Sequence, residues 1–110
     1  MKHRIIEEQE GIVVALSGDV DLQSSPAART TLLAAVGRGR PIFVDLSDVT
    51  YIDSSGIASL VEALQDARKR GSSFALVAVS EAAHRVLQLA RLDKVFAIHA
   101  SLADALSRDE

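Results

Sequence analysis

The chain has 110 residues, enough for one hydrophobic core and too few for two, so a single domain spanning 1–110 is expected. Hydrophobic residues make up 48% of it, but they are aliphatic, with Phe43, Tyr51, Phe74 and Phe96 the only aromatics, and the net charge is −3 with basic residues scattered. That composition argues against nucleic acid as a partner, the absence of cysteine excludes disulfides and thiolate metal sites, and no apolar run approaches the ~18 residues that cross a bilayer.

In chain order, Lys2 to Glu7 and Ile12 to Leu16 are short apolar segments joined by the polar Glu8-Gln9-Glu10-Gly11, which predicts a β-hairpin. Ser24 or Ser25 before Pro26 starts a helix whose apolar face is Ala28, Leu32, Leu33 and Val36, stopped by Gly37 and Gly39. Pro41 opens a strand from Ile42 to Leu46, and a polar connector then leads to a second helix. That helix begins near Ser55, carries Ile57, Leu60, Val61 and Leu64, and ends at Arg70 with Gly71 as its left-handed terminator. Phe74 to Val79 is the next strand. Ser80 caps a third helix with Val86, Leu87, Leu89 and Ala90 as its apolar stripe; Val95 to Ile98 forms a last strand, Ser101 to Ser107 a short helix, and Arg108, Asp109 and Glu110 a frayed end. Strands alternating with helices predict an α/β fold: a mixed β-sheet with about four helices packed mainly on one face.

The segment Tyr51-Ile52-Asp53-Ser54-Ser55-Gly56 sets two hydroxyls between a carboxylate and a glycine where the second helix opens. Free backbone N–H groups and the positive end of the helix dipole suit an anion there, and a serine in an exposed turn can carry a phosphate. Read alone, Ser54 and Ser55 are first of all helix caps; Asp53 could take that role instead and leave the Ser55 hydroxyl free. Asp19 and Asp21 read alone as turn residues between a strand and a helix. Ser59, Glu62 and Ala63 form a flank of the second helix that either is solvated or touches a partner. His3, His84 and His99 have no ligand spacing, so no metal and no cofactor is expected.

Together, Leu16-Ser17-Gly18-Asp19-Val20-Asp21-Leu22, Asp45-Leu46-Ser47, Tyr51 to Gly56 and Arg91-Leu92-Asp93-Lys94-Val95-Phe96 closely resemble the STAS domain family, and more narrowly the bacterial anti-sigma factor antagonists. The resemblance runs from Ile12 to Leu106. It implies a cytoplasmic partner-switching protein without an active site. Unphosphorylated, such a protein binds an anti-sigma factor that is also a serine kinase; phosphorylation of the serine before the glycine, here Ser55 with Ser54 as second choice, releases it. A phosphoserine phosphatase would reset the switch. The same resemblance puts Asp19, Asp21 and Asp53 beside the acceptor hydroxyl, with Ser54, Gly56 and Ser59 in the switch surroundings and the partner surface. One departure is Arg91, where the family usually has glycine; a left-handed backbone there would cost about 1 kcal/mol relative to glycine.

Repulsion gives the switch its expected direction. A phosphate adds about −1.5 to −2 charges, and a helix dipole welcomes it by only about 0.3–1 kcal/mol. One unit of charge at ~6 Å from a carboxylate, at an effective dielectric of ~20, costs about 3 kcal/mol before screening. The alternatives are a STAS subunit of an ABC-type lipid transporter or another signalling complex, and a serine hydrolase. The hydrolase reading lacks a Gly-x-Ser-x-Gly elbow and a histidine placed as base.

Overall fold

The computed structural model describes residues 1–107, so the fraying expected of Arg108, Asp109 and Glu110 lies outside the described residues. The elements are β1 (Lys2–Glu8), β2 (Gly11–Val20), α1 (Ser25–Val36), β3 (Ile42–Ile52), α2 (Ser54–Lys69), β4 (Phe74–Val77), α3 (Glu81–Leu89), β5 (Ala97–His99) and α4 (Leu102–Ser107). Strand order in the sheet follows chain order, with β1 antiparallel to β2 and the other neighbours parallel. The tight hairpin turn permits the one antiparallel pair, while each later strand returns through a helix, which enforces parallel pairing.

Alternation along the strands divides the core. Ile12, Val14 and Leu16 of β2, with Ile42, Val44 and Leu46 of β3, pack against Leu32 and Val36 of α1, Leu60 and Leu64 of α2, and Leu87 of α3. Val13, Phe43, Ala75 and Val77 point to the opposite face, where Ala105 of α4 joins them with Leu102 and Leu106 beside it. Three helices therefore lie on one face and the shortest on the other, as the expected mixed sheet required.

Several boundaries differ from expectation. β3 continues past the expected end at Leu46 through Ser47–Ile52, which reads as a polar connector, and β2 runs on to Val20. The β2–β3 register shifts between Ala15 and Ser17 and again between Gly18 and Asp19, so Ser17 pairs with Asp48 and Asp19 with Tyr51. In this irregular stretch Leu46, Val49 and Ile52 are buried at a spacing of three, and the strand period of two on which the reading relied is broken. β4 stops at Val77, where Ala78 turns to a φ of 50°, and β5 starts only at Ala97. Val95 and Phe96 instead donate their amides to the Leu92 carbonyl, and Phe96 is buried against Phe74. α3 buries Ala83 and Leu87, one turn apart, whereas Leu89 faces solvent and the expected stripe through Leu89 and Ala90 is wrong. Arg91 does adopt the left-handed conformation, with a φ of 60°.

Candidate functional site

Two ends of parallel strands meet at the site. β2 carries Asp19 near its end and leads into the β2–α1 connection with Asp21 and Leu22, and β3 leads directly into α2 through Asp53. The Asp53 amide donates to the Val20 carbonyl at 3.2 Å, which ties the two exits together. Asp53 has extended backbone angles and is the cap of α2: its Oδ1 accepts from the backbone N–H of Ser55 at 3.0 Å and of Gly56 at 3.1 Å. Two of the otherwise unpartnered amides of the first turn are thus satisfied by a carboxylate, which also suits the positive end of the dipole.

The capping question is therefore answered by Asp53. Ser54 is the first helical residue and exposed; Ser55, the second, is half-buried and donates its hydroxyl to Asp53 Oδ1 at 2.6 Å. The Ser55 hydroxyl hydrogen bond is the main reason the Asp53 carboxyl titrates below the ordinary carboxylate range. Burial opposes that shift, and the amides of Gly56, Ser55 and Leu22 reinforce it. An ionised Asp53 holds the hydroxyl in one orientation at the protein surface.

Asp19 and Asp21 are close in the chain path but have other bonds. The Asp19 carboxylate accepts from the Thr50 hydroxyl at 2.9 Å, and Asp21 Oδ1 accepts from the Gln23 and Ser24 amides, both at 3.1 Å, in a turn that starts α1. The Ser24 side chain locks this connection: its hydroxyl donates to the Asp19 carbonyl and accepts from the Asp21 amide, both at 2.9 Å. Of the three carboxylates expected around the hydroxyl, Asp53 alone hydrogen-bonds it; Asp19 ties β2 to Thr50 of β3, Asp21 shapes the loop into α1, and both add negative charge.

Gly56 is set by packing. A Cβ there would lie 2.6 Å from the Val20 carbonyl oxygen and 2.7 Å from Cγ1 of Ile52, so only glycine lets the first turn of α2 seat on the strand ends. Ser59 and Ala63 correct the expectation of an exposed, partner-facing flank: both are buried. The Ser59 hydroxyl reaches the Ser25 carbonyl of α1 and the Ser55 carbonyl, both at 3.2 Å, so Ser59 braces the turn that carries Ser55. Helix α1 covers that side because Ala28 and Leu32 are buried in the same core as Leu60 and Ala63. The face left open beside Ser55 is a shallow recess lined by Ser25, Pro26, Arg29, Ala58 and Glu62, with the Arg29 guanidinium paired to Glu62 across the two helices.

Two exposed residues to which sequence reasoning did not assign a role adjoin the carboxylates of the site. Leu22 is 74% exposed and Tyr51 51% exposed, although each sits at the edge of a core element. Tyr51 pairs with Asp19, and the Leu22 amide helps to stabilise the Asp53 carboxylate. A large apolar residue before the Gln23-Ser24-Ser25 turn was the available sequence signal for Leu22.

This arrangement, a mixed sheet whose parallel strands deliver a carboxylate-capped serine to the start of a helix, is that of a regulatory binding domain. Residues 3–105 match the STAS domain family, and the chain belongs to it. The anti-sigma-B factor antagonist of Bacillus subtilis is 29% identical over 94 residues, 86% of each chain. Among solved structures, an anti-sigma factor antagonist from Mycobacterium paratuberculosis superposes with a TM-score of 0.87 at 30% identity, covering 96% of this chain and 91% of that one. The anti-sigma factor antagonist SpoIIAA in its unphosphorylated form shares the fold, with a TM-score of 0.81 at 18% identity over 97% of this chain and 95% of that one.

Proposed function

We propose that this protein is an anti-sigma factor antagonist of the partner-switching type, with Ser55 as its phosphoacceptor. The observation that carries the reading is local. Asp53 caps α2, so Ser55 does not; its hydroxyl stays half-exposed and oriented by one short hydrogen bond. The kinship with antagonists of anti-sigma factors supplies the partner class: an anti-sigma factor with serine kinase activity, with a phosphoserine phosphatase to restore the acceptor. No catalytic role is assigned to Ser55, because the group that touches its hydroxyl is an ionised cap already committed to two amides.

Chemistry at this spot favours release on phosphorylation. Esterification removes the O–H that Ser55 donates to Asp53 and sets a near-dianion against the carboxylate that accepted it. Both anions then compete for the Ser55 and Gly56 amides. A partner surface that covers the acidic patch of Asp19, Asp21 and Asp53 would bury this excess charge, so the phosphorylated form loses affinity. A loss of ~3 kcal/mol weakens binding roughly a hundredfold, enough to transfer a shared partner to a competitor.

The test is the affinity of wild type, Ser55→Ala and Ser55→Asp for kinase-type anti-sigma factors from the same genome, followed by intact-mass analysis after ATP is added. Binding by wild type and Ser55→Ala, roughly hundredfold weaker binding by Ser55→Asp, and one phosphate gained only when Ser55 is present are the expected results. A Ser55→Asp variant that binds like wild type, together with no phosphate gained, would reduce Ser55 to a structural residue.

A further inference from the structure

The sheet has two edges of different character. β5 is three residues long, whereas β1 offers seven consecutive exposed residues, Lys2–Glu8, whose outer backbone groups have no strand beside them. Long exposed edges invite another strand, and proteins blunt them with charge. Here the charges are segregated: Lys2, His3 and Arg4 come first, Ile5 and Ile6 stand in the middle at 43% and 38% exposure, and Glu7 and Glu8 come last. Such a strand repels a parallel copy, residue against like residue, and attracts an antiparallel one.

We infer that β1 is a self-association surface, pairing antiparallel with β1 of a second copy of this chain to continue the sheet across a two-fold axis. Pleating selects the register. Residues directly opposite in a continuous sheet share a face, and β1 presents His3, Ile5 and Glu7 to the α1 side, opposite Leu16, Val14 and Ile12 of β2, with Lys2, Arg4, Ile6 and Glu8 on the other. Only registers that match odd with odd and even with even positions are therefore allowed.

Centring on Ile5 puts Ile5 against Ile5, His3 against Glu7, Arg4 against Ile6 and Lys2 against Glu8. Centring one residue earlier sets Arg4 against Arg4, and one later sets Ile5 against Glu7. Centring on Ile6 also sets Ile6 against Ile6 and Arg4 against Glu8, but it leaves Ile5 facing Glu7 and pairs fewer residues. The Ile5 register joins the most unlike charges, with both Lys2 and His3 opposite glutamates. Lys2 and Glu8 make no ion pair among the described residues, and this register gives each a partner. Glu7 already accepts from Arg38 at 2.8 Å, and Arg40 covers the Glu8 and Gln9 carbonyls at the hairpin end, which marks where the pairing stops. The pairing leaves the Ser55 site, on the strand exits and α2, free on each copy, so that one assembly carries two. This inference is independent of the function of Ser55.

Because the chain has no cysteine, a single Ile5→Cys substitution is a clean reporter. Sedimentation velocity up to about 1 mM should show a concentration-dependent dimer, and Ile5→Cys should cross-link to itself on mild oxidation or with a short bismaleimide, whereas exposed Leu22→Cys should not. Glu8→Lys should weaken self-association about tenfold by opposing Lys2, and Lys2→Glu added to it should restore the wild-type value. A monomer throughout the range overturns the proposal. So does a dimer that neither cross-links through position 5 nor responds to the charge swap.

Discussion

Helices α2 and α3 are built to the same plan and differ in the residues that execute it. Each leaves a parallel strand through a polar cap and ends in a left-handed residue with two closing amide bonds: Gly71 and Ser72 donate to the Arg68 and Ala67 carbonyls, Arg91 and Leu92 to those of Gln88 and Leu87. At the start of α3, Ser80 is the cap and its hydroxyl oxygen accepts the Ala83 amide at 3.2 Å. At the start of α2, Asp53 has that task and the serine two residues later keeps its hydroxyl for other use. A serine near a helix start is thus a structural cap or an available acceptor according to whether a carboxylate precedes it.

The contrast can be broken from several sides. The largest expected effect is at Gly56→Ala, where a methyl group meets the Val20 carbonyl and Ile52: about 3 kcal/mol of stability should be lost in denaturant unfolding, since neither strand end can retreat from the core. Next comes Asp53→Ala, which strips one acceptor from three donors and should lower the melting temperature by more than Ser80→Ala, which strips it from one. For Ser80→Ala a loss of about 1 kcal/mol is expected, with Ser55 function intact.

Acid distinguishes the two caps further. The carboxyl of Asp53 lies below its ordinary value in the folded protein, so the unfolded chain binds the proton more readily. Its contribution is complete above the ordinary carboxylate range and disappears as pH falls through that range towards the lower, folded value. The melting-temperature gap between wild type and Asp53→Asn should accordingly be widest near neutrality and narrow below about pH 4. A gap constant across a pH series would mean that charge on Asp53 is not what holds the turn. The smallest change concerns the other end: Arg91→Gly should raise stability by at most about 1 kcal/mol, by relieving a φ of 60° on a residue with a Cβ, and should leave α2 untouched.

Much of this was legible in the chain because the signals are local. Pro26, Gly71, Ser80 and the hairpin around Glu10 mark their elements through the torsion angles and hydrogen bonds of a few adjacent residues. The carboxylate, two hydroxyls and glycine of Asp53–Gly56 announce an unusual helix start in the same way. Where the reading failed, the deciding neighbour was remote. The stripe of Ile57, Leu60 and Leu64 does not say how far burial spreads to Ser59 and Ala63; α1 arrives from more than thirty residues earlier to cover them, and the Ser25 carbonyl then receives the Ser59 hydroxyl. The extension of β3 likewise depends on β2, whose register shifts absorb a polar stretch that has no strand period of its own.

Residue periodicity and backbone preference over a turn or two set the order of strands and helices, the crossover topology and the presence of a serine pair at a helix start. Packing decided that Asp53 is the cap, that Ser55 points its hydroxyl to it, that Thr50 takes the Asp19 carboxylate while Asp21 serves the adjoining loop, and that Gly56 has no room for a side chain. Those outcomes depend on how closely two strand ends and two helices approach, and that distance is set by packing between segments far apart in the chain.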